Sequence, residues 1–142
     1  MSIKNIEFEK KIINECSKVA KKSTCNKAQH AAAIVDMNGI IKAIAPNTFV
    51  EHAEVAVIKK QLYQNKSKIK KNDILVVCRH NITSESAPCV NCIKYIIENT
   101  KIKNIIYSTN DIDKDNIICT RINRLKQHQT HLSSKDKKKL SK

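Results

Sequence analysis

The sequence predicts an α/β domain in which a mixed sheet of five strands is covered by helices on both faces. Three observations predict it. Apolar residues recur at helical spacing or cluster densely in three segments. Five short apolar runs, bounded by polar or turn-forming residues, read as strands. The two kinds of segment follow one another in the order αββαβαββ, which suits a layered sheet. A chain of 142 residues fits one compact domain, expected over residues 1–132, and is long enough to bury a core without disulfides. Aromatic residues make up 4% and Trp is absent, so Ile, Val, Leu and Ala must build that core.

The first segment, about residues 5–22, sets Ile12, Ile13, Cys16, Val19 and Ala20 on one helical face with Lys on the other. Two apolar runs follow, Ala31 to Val35 and Ile40 to Ala45, separated by Asp36-Met37-Asn38-Gly39. The single glycine of the chain lies in that Asn-Gly pair, whose positive φ angles suit a tight hairpin. The alanines alone favour helix, and the turn decides for two antiparallel strands. Pro46 and Asn47 break the pattern. A helix is then expected from about His52 to Gln64, apolar on most sides of its first half and therefore buried. Asn65 to Asp73 is a polar connector, and Ile74 to Cys78 a buried strand. After a loop from Arg79 to Pro88, Cys89, Cys92, Ile93, Ile96 and Ile97 mark a helix reaching about Asn99. Ile105 to Tyr107 and Ile117 to Cys119 complete the strands. Ile122, Leu125 and Leu132 support a weak last helix, and the Lys-rich end, residues 133–142, is expected to be disordered.

The formal net charge is +14, from 27 basic and 13 acidic residues. Clustered cations suit a polyanionic partner. Nearly all are Lys, however, with Arg79, Arg121 and Arg124 the only arginines, and bidentate phosphate or base contacts favour Arg. The abundance of Ile, Asn and Lys is what an A+T-rich genome produces. Nucleic acid is therefore a possible partner but not the favoured one. The first residues lack the apolar block of a signal peptide and no run is long enough to span a bilayer, so a cytoplasmic, reducing location is expected. There a Cys-x-x-Cys points to metal or catalysis before disulfide. Cys16, Cys25, Cys78 and Cys119 read as ordinary buried thiols.

Two short motifs open the second and third helices: His52-Ala53-Glu54 and Pro88-Cys89-Val90-Asn91-Cys92. Together they match the His-x-Glu and Pro-Cys-x-x-Cys pattern of zinc-dependent nucleobase deaminases. The chemistry agrees with the match. Cys89 and Cys92 lie one turn apart on one helix face, so both sulfurs can reach a single ion. The partial positive charge of the helix start favours their thiolates. His52 supplies a third ligand, leaving a fourth position for water, and one Zn²⁺ per chain is expected. Glu54 lies two residues on, placed to serve that water as a base. A closed structural site needs a fourth donor, for which His30, His80, Cys78 and Cys119 are available.

From residue 28 to about 119 the chain resembles the cytidine and deoxycytidylate deaminase superfamily. The hairpin leading to Asn47, then His-Ala-Glu, then Ala-Pro-Cys-x-x-Cys, then a strand ending in Tyr107-Ser108 follow the family's order. The resemblance implies a three-layer α/β/α sandwich and attack of zinc-bound hydroxide on the amino-bearing carbon of a base. It implies that Glu54 carries protons from the water to the ring nitrogen and to the departing ammonia. It also implies that Asn47 contacts the substrate's base or sugar, that the backbones of Ala53 and Ala87 read the ring and its amino group, and that the chain assembles into a homo-oligomer. The loop Thr48 to Glu51 is short beside many relatives, and Ala45 stands where the family often has glycine. Phe49 can either stack on a substrate base or pack on the helix beneath.

The leading function is hydrolytic deamination of a free cytosine nucleoside or nucleotide. The alternatives are deamination of adenosine in tRNA and a non-catalytic zinc-stabilised RNA-binding module. Retention of Glu54 speaks against the last, since folding around zinc needs no such carboxylate. Chain length bears on the others. Within this superfamily the last two strands run parallel in the tRNA adenosine and deoxycytidylate types and antiparallel in the cytidine deaminase type. A parallel crossover needs at least ~10–12 residues. Only nine, Ser108 to Asn116, separate Tyr107 from Ile117, and they are rich in Asn and Asp. The last two strands are therefore predicted antiparallel.

Overall fold

The stripe of the first segment becomes helix α1, Ile6–Ala20, with Glu7 and Glu9 in its first turn and Lys18 in its last, each sign matching the helix dipole. Ile12, Ile13, Cys16 and Ala20 are buried. The protein is described here from a computed structural model, which covers residues 6–25, 29–80, 86–110 and 116–125. Leu132 and the Lys-rich end lie outside the described residues.

Strands β1 (His30–Val35) and β2 (Ile41–Pro46) pair antiparallel. Their turn is not the tight two-residue type, because only Gly39 has a positive φ, +85°. Asp36 organises it instead. Its Oδ1 accepts the N–H groups of Asn38 and Ile40, both at 2.9 Å. A bulge follows: Ile34 faces Ala43 while Val35 faces Ile41, so Lys42 is the extra residue. Its ammonium bonds buried Asp73 at 2.7 Å.

Helix α2 (Ala53–Lys59) continues into a wider π-helical turn over Lys60–Gln64 rather than remaining α-helical to Gln64. Strand β3 (Ile74–Arg79), helix α3 (Val90–Asn99), and strands β4 (Asn104–Ser108) and β5 (Ile117–Arg121) follow, with a final helical turn at residues 122–125 that buries Ile122 and Leu125. The five strands form one sheet in the order β2-β1-β3-β4-β5. Only β3 and β4 are parallel. The antiparallel pairing of β4 with β5 agrees with the short link between them.

Alternation along the strands sends each side of the sheet to its own helical layer. Ala31, Ala33, Val35, Ile74, Val76 and Ile106 pack with Ile12, Ile13 and Cys16 of α1. Ala32, Ile34, Leu75, Val77 and Ile105 pack with Val57, Ile58, Ile93 and Ile96 of α2 and α3. The result is the expected three-layer α/β/α sandwich. The alanines that resembled helix serve the sheet: Ala32, Ala43 and Ala45, with Ala53 on the helix, let α2 sit close against β1 and β2. Among the described residues, no helix is long and apolar enough to cross a membrane.

Candidate active site

Both motifs meet at one end of the sheet. His52 and Cys89 are the last extended residues before α2 and α3, with ψ angles of 152° and 167°. Their side chains therefore leave the two helix starts, and Cys92 follows three residues later in the first turn of α3. His52 Nδ1 lies 3.0 Å from Cys92 Sγ and 3.7 Å from Cys89 Sγ. The three donor atoms all fall within 4.8 Å of one another. Tetrahedral zinc, with bonds of ~2.0–2.3 Å, separates such donors by about 3.5–3.8 Å, so the cluster fits the ion with small adjustments. Neither His30, His80, Cys78 nor Cys119 joins the group among the described residues. Three donors leave a coordination position open, as hydrolytic zinc chemistry requires.

The thiols respond to each other. A hydrogen bond from the Cys92 thiol, aided by amides at the start of α3 and by His52, draws Cys89 down to about 5. The same bond, with burial and the nearby Glu54, pushes Cys92 up. One thiolate is thus already favoured before a metal binds. Glu54 is 5% exposed, and its carboxyl is raised to about 7, chiefly by burial. It lies within hydrogen-bonding reach of Cys92, so it faces the ligand cluster instead of pointing away from it.

A cavity of about 340 Å³ opens beside these groups, at the small end of ligand-pocket sizes. Asn47, Phe49, His52, Ala53, Glu54, Ala87 and Cys89 all line it. Every residue singled out from the sequence except Cys92 therefore reaches one space, and Cys92 lies behind it as a ligand donor. Asn47 is buried and fixed: its Oδ1 accepts the N–H of His30 at 2.9 Å, and its own N–H donates to the His30 carbonyl at 3.0 Å. Phe49 is 78% exposed, so it stands at the mouth and does not pack on α2.

The family model described as the cytidine and deoxycytidylate deaminase zinc-binding region matches residues 6–109, more than half of the chain. The protein belongs to that family. Zinc is accordingly the metal of this deaminase-family chain, and His52, Cys89 and Cys92 form its candidate site. Solved structures share the fold. A cytidine deaminase from Burkholderia pseudomallei superposes with a TM-score of 0.63 at 16% identity, covering 82% of this chain and 94% of that one. The dCMP deaminase of cyanophage S-TIM5, in complex with dCMP and dUMP, gives 0.61 at 19%, covering 88% and 93%. A diaminohydroxyphosphoribosylaminopyrimidine deaminase/reductase from Thermotoga maritima gives 0.58 at 20%, covering 74% of this chain but only 30% of its own length. A search of curated proteins finds no match.

Some cavity residues carry no signal in the deaminase motifs. Cys25, His30 and Ser86 also line the space. Ser86 closes the end of the sheet where β3 and β4 part. Its hydroxyl lies 2.9 Å from the Val77 carbonyl and 2.7 Å from Ser108 Oγ, and it accepts the Ser108 N–H at 3.0 Å. One hydroxyl thus bridges two strands and pins the segment that carries Ala87 and Cys89. Cys25 is half-buried rather than buried, and Cys119 is exposed because β5 is an edge strand, although its thiol still donates to Glu9 at 3.1 Å. Cys16 and Cys78 are buried as expected.

Proposed function

We propose that the protein hydrolytically deaminates a cytosine nucleoside or nucleotide, releasing ammonia and the uracil product. The observation that carries this reading is the buried Glu54 beside the His52–Cys89–Cys92 cluster at the wall of a small cavity. When bound there, zinc supplies a Lewis acid that makes water acidic and nucleophilic. Glu54 then does the proton work. Its carboxyl, held near neutrality by burial, can take a proton from the attacking water and pass it to the ring nitrogen. It next delivers the remaining hydroxyl proton to the amino group, which leaves as ammonia while the ring carbonyl forms. Asn47 and the backbones of Ala53 and Ala87 border the space a base would occupy, and Phe49 at the mouth can stack on it. The antiparallel β4–β5 pair supports a small free substrate over structured RNA. Self-association is part of the same proposal, with exposed Phe49 and Val50 beside the cavity as the surface to mutate.

The test is ammonia release by zinc-loaded protein from cytidine, deoxycytidine, dCMP, cytosine, guanine and tRNA. Turnover of cytosine nucleosides or nucleotides is expected. Inosine formation in tRNA with every free pyrimidine untouched would refute the substrate class.

A further inference from the structure

The end of the sheet that carries the site also carries a row of polar residues extending past the zinc ligands. Strand β1 runs antiparallel to both of its neighbours, so its first residue meets the last residues of β2 and β3. Asn47 follows directly on β2, His30 opens β1, and Arg79 closes β3 in register with His30. Residues directly opposite in an antiparallel pair send their side chains to the same face. Here it is the α2/α3 face: Ala32 of β1 and Val77 of β3, each two residues away, both belong to that core. Asn47, His30 and Arg79 therefore stand side by side under the start of α2, and the first two line the cavity.

The row becomes cationic along its length. His30 is half-buried and fixed to Asn47 through its backbone. Burial, followed by the charges of Arg79 and His52, draws its imidazole down to about 4. Arg79 is half-buried and enters no ion pair among the described residues. A half-buried guanidinium next to a neutral imidazole, at the margin of a ligand cavity, suits an anionic group that accepts hydrogen bonds from both.

We propose that His30 and Arg79 form the phosphate-recognising corner of the cavity, which makes a nucleoside monophosphate the preferred substrate over the free nucleoside. The inference rests on the cytosine reading above and narrows it. The base is held against Glu54 and Asn47. The sugar lies along the row, and the phosphate at its end takes hydrogen bonds from the guanidinium and from the single N–H of the imidazole. Both residues determine specificity; neither touches the reacting atoms.

The experiment compares dCMP with deoxycytidine on the zinc-loaded, full-length protein and on Arg79→Gln, Arg79→Lys and His30→Ala variants of matched zinc content. Wild type should favour dCMP in kcat/KM. Losing one hydrogen bond to a charged group should lower kcat/KM for dCMP in Arg79→Gln by about ten- to a hundredfold, mainly through KM. The loss on dCMP should exceed that on deoxycytidine about tenfold or more, and Arg79→Lys should recover part of it. Wild type that prefers deoxycytidine, or equal losses on both substrates, would overturn the proposal, since a merely structural role gives no substrate-dependent split. Binding of dUMP and deoxyuridine by calorimetry separates this inference from the turnover reading. Tighter binding of dUMP, with the preference erased in Arg79→Gln, upholds the corner whichever base is deaminated. Equal affinities overturn it.

Discussion

Glu54→Gln should make the metal-free protein more stable while nearly abolishing activity. The carboxyl is 5% exposed and raised from 4.5 to about 7, with burial the largest cause. Above pH 7 the folded chain therefore holds a charge that water solvates better in the unfolded chain. A displacement of this size corresponds to roughly 3 kcal/mol, at 1.36 kcal/mol per pH unit. Between pH 4.5 and 7 the folded state binds more protons than the unfolded state, so this cost is absent at pH 4.5, grows with pH, and is complete above pH 7. Glutamine has nearly the same shape and no charge. Denaturant unfolding of chelator-treated protein should show Glu54→Gln more stable than wild type by about 2–3 kcal/mol at pH 8, and by little at pH 5. The same variant, loaded with zinc, should lose about 10²–10⁴-fold in kcat, as when a general acid–base is removed. A stability difference that does not change with pH would refute the account of a desolvated carboxylate. Undiminished turnover would place the proton shuttle elsewhere.

Cys89→Ser and Cys92→Ser should each lose zinc and stability together, and a full zinc complement in either, measured by metal analysis, would remove that residue from the ligand set. Ser86→Ala deletes the hydroxyl that bridges Val77 and Ser108 and should cost about 1–3 kcal/mol in denaturant unfolding, along with activity, because the segment bearing Ala87 and Cys89 loses its anchor. Gly39→Ala should cost more than about 1 kcal/mol, since it forces a side chain onto a φ of +85°. The added Cβ would also stand 2.7 Å from the Phe8 ring, so trimming Phe8 to Leu in the same chain should restore part of the loss in thermal unfolding.

The sequence by itself determined what depends on near neighbours along the chain. Spacing of three and four residues placed Ile12, Cys16 and Ala20 on one face of α1, and Cys92 and Ile96 on one face of α3. The two deaminase motifs marked the starts of α2 and α3 because helix starts have their own chemistry. Even the antiparallel β4–β5 pair was legible, since nine residues are too few for a crossover. Tertiary structure decided what depends on residues far apart. Asp36, not an Asn-Gly pair with two positive φ angles, shapes the hairpin, because the bulge at Lys42 changes the geometry the turn must match. Cys119 lies exposed because β5 has no neighbour beyond it, and strand order is not written in a five-residue run. His30, forty-nine places from Arg79 in sequence, meets it only when β1 pairs with β3. Which side chains line a cavity is settled by strand register, and register is fixed by burying both faces of the sheet at once.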